Sequence, residues 1–204
     1  MVKKCAKELA KYVVKYNDNV DLLEAYEYSY QVGIENLLTI ITNIIVAILL
    51  KRLPEYIVFM IVFVSVRNYA GGIHLSTFRR CYFFTNITVA IVLITIDLIP
   101  VSSSWYMLLH IISIGILTCV ISPVDSINKQ LEECEKRNIK SKLRLNLLFI
   151  ISGSMVFALM GVNDILMIVR STLFCVYIGC VCGQMKNKYD RCTKKSKYVS
   201  SMKI

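Results

Sequence analysis

The sequence is poor in histidine and has no cluster of acidic residues in its apolar segments. Only two histidines occur in 204 residues, His74 and His110. Asp97 and Asp164 are isolated from one another. Metal-dependent hydrolases and transferases build their centres from clustered His, Asp, Glu or Cys ligands. The sequence therefore predicts no metal site and no cofactor, and it disfavours a metalloprotease or a metal-dependent lipid transferase.

The sequence also lacks the pairing expected of a disulfide framework or a zinc site. Most of the eight cysteines lie in apolar segments or in predicted cytosolic regions, where cysteines are usually small buried residues or reduced thiols. Cys180 and Cys182 form a close pair, but no second pair and no histidine accompanies them. We expect neither disulfides nor bound zinc.

Hydrophobic residues make up 56% of the chain and are grouped in blocks. Blocks of about 18 or more apolar residues are typical of transmembrane helices. Six such segments are predicted, at 33–50, 56–78, 81–99, 105–121, 145–162 and 165–181. The expected fold is therefore an all-α polytopic membrane protein with about six transmembrane helices, forming one integral membrane domain over residues 1–204.

The regions outside these blocks are polar. In residues 1–32, charged and apolar residues alternate in a way that predicts one or two amphipathic helices on a membrane surface. A cytosolic helix packed on loops explains the same pattern equally well. No short apolar core follows the basic start, so no cleavable signal peptide is expected. Residues 123–144 are predicted to be a cytosolic loop within the membrane domain of 33–183, and 184–204 a basic cytosolic tail.

The distribution of basic residues predicts the orientation. Lysine and arginine are frequent in the N-terminal segment, at Arg79 and Arg80, in the polar loop and in the tail. Basic residues mark cytoplasmic sides of membrane proteins, so both termini are expected in the cytoplasm. Lys51 and Arg52 oppose this orientation, and Glu55 partly offsets their charge.

The second apolar segment is interrupted by a charge. From Tyr56 to Val66 it has only eleven residues. A helix of that length reaches about 16 Å, whereas the hydrocarbon core of a bilayer is about 30 Å thick. Either the helix stops halfway or Arg67 lies near mid-membrane, where an arginine is costly and indicates a functional site.

Two adjacent glycines follow that arginine. Gly71 and Gly72 weaken any continuing helix. Non-helical backbone at membrane depth must be buried in protein or line a wet cavity. Residues 67–80 are therefore predicted to form a re-entrant or interfacial catalytic element around a cavity on the cytoplasmic side.

His74 and Cys81 within this stretch are candidates for a catalytic pair. Their spacing of seven residues puts them about 10 Å apart along an unbroken helix. A base and its nucleophile must approach to about 3 Å, so the chain would have to bend between them. On spacing alone, a cytosolic loop with an incidental histidine and cysteine remains the more common explanation.

The stretch R-N-Y-A-G-G-I-H-L-S-T-F-R-R-C at 67–81 resembles the core of the accessory gene regulator B family. The segment S-P-V-D-S-I-N-K-Q at 122–130 is similar to a polar loop of that family, and the chain length, amphipathic start and number of spans also match. The family consists of membrane peptidases that process quorum-sensing pro-peptides in Gram-positive bacteria. The resemblance covers essentially the whole chain, and 67–81 is its specific part.

The resemblance implies a Cys-His dyad with Cys81 as nucleophile and His74 as its base. Arg67 and Gly72 match family positions needed for activity. Gly72 would permit a bend and could offer an amide to an oxyanion, and Arg67 could hold a substrate carboxylate or carbonyl. The complete set of predicted supporting residues is Arg67, Gly71, Gly72, Arg79 and Arg80, the last two of which would favour a thiolate at Cys81.

The resemblance also implies a substrate and a location. The substrate would be an accessory gene regulator D-type pro-peptide with an acidic tail, cleaved and closed into a thiolactone at the plasma membrane of a Gram-positive bacterium. Membrane lipids are expected partners, and a homodimer is compatible with the resemblance. Attraction of the acidic tail is assigned to Lys129, Lys136, Arg137 and Lys140. The positive-inside rule and anionic lipids explain these charges without any substrate.

A small transporter or peptide exporter without proteolytic activity is the alternative. It would explain six spans and a membrane arginine without chemistry. Such proteins tend to build their sites from paired broken helices in two related halves, and this sequence has one strong interruption. Nucleic acid is not an expected partner, because the sequence has no aromatic-basic module or soluble fold to bind it.

Overall fold

The fold was analysed in a computed structural model, which describes residues 2–17, 23–72, 77–98, 103–124 and 132–201. The described parts form helices joined by short segments, and the predicted all-α class is confirmed. In chain order the helices are α1 (Val2–Asn17), α2 (Leu23–Leu49), α3 (Leu53–Ala70), α4 (Phe78–Leu98), α5 (Ser104–Ile121), α6 (Glu133–Met160) and α7 (Asn163–Ser201).

Six of these helices, α2 to α7, are long and apolar enough to cross a membrane, as the hydropathy pattern predicts. α7 is the central helix of the bundle. It packs on α3, α4, α5 and α6, and 44% of its most apolar window is buried, the largest share of any span. Residues of α7 are therefore in a position to contact whatever site the other helices form.

The bundle has two ends, called the Cys81 end and the Arg52 end after a residue at each. At the Cys81 end, α3 and α5 finish and α4 begins, while α6 and α7 extend beyond their neighbours. At the Arg52 end, α2, α4 and α6 finish and α3, α5 and α7 begin. The two ends differ in charge, because most of the described basic residues outside α1 lie at the Cys81 end.

The predicted amphipathic segment 1–32 divides into two parts. α1 is separate, but α2 begins at Leu23 and continues without a break into the first span. α1 packs on α2 through Ala6, Ala10 and Val14, which are buried. Small residues at this spacing let two helix backbones approach closely. The partner of α1 in the fold is thus a helix rather than loops.

The second apolar segment was predicted to have only eleven residues before Arg67, so that it either stops halfway or carries Arg67 near mid-membrane, and this length was wrong. α3 starts at Leu53 and has 18 residues, which corresponds to about 27 Å. Pro54 lies in its first turn, where a missing N–H costs nothing. Arg67 is in the last turn of this helix, so it lies close to the Cys81 end of the bundle. The predicted re-entrant element 67–80 shrinks to the connection 71–77, of which 73–76 lie outside the described residues.

The predicted polar loop and tail also contain helix. α6 begins at Glu133, twelve residues before the predicted span, and Glu132 with Glu135 forms a capping box at its start. Asn146 Nδ2 donates to the Ser65 carbonyl at 2.7 Å, which fixes α6 beside the last turns of α3. α7 likewise continues past the predicted end of its span, as far as Ser201.

Contacts at the Arg52 end explain how the protein accommodates Lys51 and Arg52, the basic pair that opposed the predicted orientation. Arg52 Nη1 lies 2.9 Å from Glu55 Oε1 and 3.7 Å from Asp164 Oδ2. Glu55 and Arg52 are largely buried, and the adjacent Lys51 is exposed. Two carboxylates thus offset the charge of Arg52. The positive charge that Lys51 and Arg52 place at this end of the bundle is therefore smaller than these two residues alone indicate.

Replacement of Arg52 by alanine is expected to destabilise the bundle by about 1–3 kcal/mol, because the largely buried Glu55 carboxylate loses its donor. Thermal unfolding of the purified protein in detergent measures this change. The Lys51→Ala variant is the matched control, since it removes a neighbouring exposed charge. Equal melting temperatures for the two variants would show that the ion pair contributes nothing to stability.

Candidate functional site

The end of α3 is shaped by two glycines. Gly71 has φ of 75° and Gly72 has φ of 138°, conformations that side chains rarely adopt. The Gly71 N–H donates to the Arg67 carbonyl at 3.1 Å and closes the last turn of the helix. Gly71 and Gly72 are called the glycine turn below. The glycine turn ends α3. Glycine is needed at both positions because only glycine adopts such angles without strain.

The glycine turn is docked on the segment that follows α5. The Val124 N–H donates to the Ala70 carbonyl at 3.0 Å. A Cβ atom placed on Gly71 would lie only 2.8 Å from the Val124 carbonyl oxygen. The absence of a side chain at Gly71 therefore permits both the backbone angle and this close approach of two chain segments.

Replacement of Gly71 by alanine is expected to lower both stability and any activity of the site, with a strain cost of about 1–3 kcal/mol. Thermal unfolding and, in the same preparation, turnover of substrate measure the two effects. Gly33→Ala is the control, because nothing lies within 4 Å of a Cβ at that exposed helical position. A Gly71→Ala variant that unfolds and turns over like the control would contradict the docked arrangement.

The guanidinium of Arg67 lies between the glycine turn and α7. A Cβ atom on Gly72 would overlap this guanidinium, and a Cβ atom on Gly179 would lie 3.0 Å from Nη1. Arg67 is also close enough to the thiols of Cys81 and Cys180 for a charge interaction. Glycines on two sides thus leave room for a planar cation at the Cys81 end, beside a cysteine.

Cys81 lies in the first turns of α4, with its side chain exposed. Its N–H donates to the Thr77 carbonyl at 3.2 Å, the bond that starts the helix. The adjacent Tyr82 hydroxyl is 2.9 Å from Thr42 Oγ1 of α2, and this contact ties the start of α4 to another span. Cys81 is therefore an accessible thiol at the N-terminal end of a helix.

The structure therefore brings several predicted site residues to one end of the bundle. Arg67, the glycine turn and Cys81 lie there, and Arg79 and Arg80 are exposed beside Cys81 in the first turn of α4. His74, the predicted base, lies outside the described residues. The Cys81–His74 dyad thus remains a prediction. Of its two members the structure describes Cys81, an accessible thiol at the same end of the bundle as Arg67.

Four basic residues were assigned to attract an acidic substrate tail. Lys136, Arg137 and Lys140 lie near the start of α6, and Lys129 lies outside the described residues. Lys136 Nζ is 3.3 Å from Glu133 Oε1, so its charge is partly balanced. Arg137 is exposed and Lys140 is half-buried. Their helix packs on α3, α5 and α7 at the Cys81 end.

Sequence reasoning did not identify the residues that surround the glycine turn from α5 and α7. Cys180 Sγ is buried and lies 3.7 Å from Ser122 Oγ, 3.8 Å from the Ala70 carbonyl and 3.9 Å from the Gly71 carbonyl. Gln184 Nε2 donates to the Ile121 carbonyl at 2.7 Å. A glycine within an apolar helix, such as Gly179, was the one available signal of close packing.

Arg170 was also missed, although a charge within an apolar run is a recognisable signal. It lies seven residues into α7 and is half-buried toward the Arg52 end. In the ranges that the structure describes, no group of three His, Cys, Asp or Glu side chains could hold a metal ion.

Six apolar helices, with a cysteine, an arginine and a glycine turn at one end, define a polytopic membrane protein. A family model, AgrB: Accessory gene regulator B, matches residues 3–185. The chain therefore belongs to the accessory gene regulator B family. It is also similar to a curated "Putative AgrB-like protein" of Clostridium beijerinckii, with 27% identity over 127 residues.

That alignment covers 62% of this chain and 59% of the relative, so the chain spans about three fifths of the relative's length. No solved structure matches the chain. The predicted family is thus confirmed, and the description of the site rests on the geometry given above.

Proposed function

We propose that this protein is a membrane cysteine endopeptidase of a quorum-sensing system, which removes the C-terminal tail of an autoinducing-peptide precursor and forms its thiolactone. The observation that carries the proposal is the grouping of Arg67, the glycine turn and the exposed Cys81 at one end of the bundle. Family membership over residues 3–185 supports the choice of a peptide precursor as the substrate.

In the first step His74 accepts the proton of the Cys81 thiol, and the resulting thiolate attacks the carbonyl carbon of the peptide bond before the tail. The negative charge then moves to the carbonyl oxygen, where the Arg67 guanidinium or the Gly72 N–H can stabilise it. The C–N bond breaks and His74 supplies a proton to the leaving amine. The products of this step are a free tail peptide and a thioester between Cys81 and the remaining precursor.

In the second step a thiolate within the precursor attacks the thioester carbonyl. The bond to Cys81 breaks, the enzyme thiolate is regenerated and the precursor closes into a thiolactone. Because one thioester replaces another, little bond energy is lost, whereas attack by water would release a linear acid. A site at the membrane boundary can restrict water and so favour ring closure.

The basic residues at the Cys81 end suit an acidic precursor tail. Arg79, Arg80 and Arg137 are exposed there. We place this end in the cytoplasm by the positive-inside rule, with the protein in the plasma membrane of a Gram-positive bacterium. Anionic lipids would bind the same charges. Attraction of the tail would contribute to substrate binding and not to the chemical steps.

The test uses purified protein in liposomes with a precursor that has an internal cysteine and an acidic tail, analysed by intact mass. Wild type is expected to give a free tail and a product lighter by one water than the linear acid. His74→Ala is expected to lose this activity, and His110→Ala, on an exposed face of α5, serves as its control. Transport of uncleaved precursor across the bilayer would instead support the exporter alternative.

A further inference from the structure

α7 contacts the site at three positions near its C-terminal half. Gly179 lies against the Arg67 guanidinium, Cys180 against the glycine turn, and Gln184 against the end of α5. We call Gly179, Cys180 and Gln184 the α7 contact segment. It is part of the most buried helix of the bundle.

Gly179 limits where Arg67 can lie. A methyl group at this position would come within 3.0 Å of Nη1, closer than ordinary van der Waals contact. On its other side the same guanidinium is bounded by Gly72. An added side chain at Gly179 would therefore displace the guanidinium by a few tenths of an ångström.

Cys180 is placed to hold the glycine turn. A thiol is a weak donor and a weak acceptor, so it can donate to the carbonyl of Ala70 or Gly71 and accept from the hydroxyl of Ser122. Cys180 is fully buried, and buried carbonyl groups need such partners. The thiol thus links the ends of α3 and α5 at the point where the glycine turn forms.

We propose that Gly179 and Cys180, together with Ser122, are positioning residues, which hold the Arg67 guanidinium and the glycine turn in place for reaction at Cys81. The proposal rests on the proposed function, because the reaction it serves is peptide cleavage at Cys81. None of the three residues needs to touch the substrate. Their role is to fix groups whose displacement by about 1 Å can cost 100-fold in rate.

The first experiment compares Gly179→Ala with Gly153→Ala in the liposome assay. Both glycines are in membrane-spanning helices, but nothing lies within 4 Å of a Cβ at Gly153. Gly179→Ala is expected to lower the rate of the chemical step about tenfold with little change in KM, and Gly153→Ala to leave both unchanged. Equal rates for the two variants would overturn the role of Gly179.

A second pair of variants separates positioning from simple packing at Cys180. Cys180→Ser keeps a donor and an acceptor, whereas Cys180→Ala leaves an apolar side chain close in size to serine. Positioning predicts that the serine variant keeps more activity than the alanine variant. Packing alone predicts the opposite order, because burying a hydroxyl in an apolar site is costly. The exposed Cys182, changed in the same two ways, is the control.

A third readout does not depend on catalysis. Iodoacetate is anionic and iodoacetamide is neutral, so the ratio of their alkylation rates at Cys81, followed by peptide mass, reports the nearby positive charge. Gly179→Ala is expected to lower this ratio about threefold, toward the value of Arg67→Gln. An unchanged ratio would overturn the positioning role.

The readouts distinguish the two proposals. If wild type makes no thiolactone while Gly179→Ala still lowers the alkylation ratio, the peptidase proposal fails and the placement of Arg67 stands. If wild type is active and the variants of Gly179 and Cys180 match their controls in rate and ratio, the positioning proposal fails alone.

Discussion

Replacement of Cys81 by alanine is expected to lower precursor cleavage by about 1,000-fold or more, because covalent catalysis has no other nucleophile at this position. Cys81 is exposed near the start of α4 and makes no packing contact in the buried core. The variant is therefore expected to fold and to keep the melting temperature of the wild type. Liposome cleavage and thermal unfolding, measured on one preparation, test both statements.

The matched control for this experiment is Cys134→Ala, since Cys134 is an exposed cysteine near the start of α6. It is expected to cleave the precursor like the wild type. Cleavage that survives in Cys81→Ala would remove Cys81 from the mechanism. Loss of activity in both variants would point to a general effect of cysteine removal and would contradict a specific role.

The second large effect is expected at Arg67. Replacement by glutamine removes a positive charge from the Cys81 end and is expected to lower the rate about 100-fold or more, as loss of a transition-state donor does. Arg67→Lys keeps the charge but loses the planar fork, so its rate is expected to lie between those of wild type and Arg67→Gln. Thermal unfolding identifies any part of the effect that comes from misfolding.

The control for Arg67 is Arg144→Gln, because Arg144 is an exposed arginine of α6 whose Nε donates to the Lys140 carbonyl at 3.4 Å. Removing it changes the net charge by the same amount. Precursor cleavage by Arg144→Gln is expected to match that of the wild type. If Arg67→Gln and Arg144→Gln lose equal activity, the effect belongs to the overall charge of this end and not to a cation beside Cys81.

Much of the fold could be predicted because membrane spans are determined by local composition. The number of spans follows from apolar blocks, and the end of α3 follows from two adjacent glycines. The start of α3 was misjudged because Lys51, Arg52 and Glu55 resemble a loop. The pairing of Arg52 with Glu55 and Asp164 lets this charged segment start a helix, and a pair that joins α3 to α7 cannot be read from hydropathy.

The candidate site could be predicted where its residues are near one another in sequence. Arg67, the glycine turn and Cys81 lie within one short stretch, so a motif identifies them together. Ser122 and Gly179 lie more distant in sequence and reach the site only because α7 packs on both α3 and α5. Periodicity and charge do not specify which spans are neighbours, so these contacts required the three-dimensional arrangement.

The most direct test of the central claim is detection of a thioester on Cys81. A precursor whose internal cysteine is replaced by serine can still be cleaved, but its weaker nucleophile slows ring closure, so the acyl-enzyme should accumulate. Rapid quenching and peptide mass analysis are predicted to find the precursor, without its tail, attached to Cys81 through a bond that hydroxylamine breaks. Tail release without such an adduct, or an adduct on another cysteine, would contradict the account.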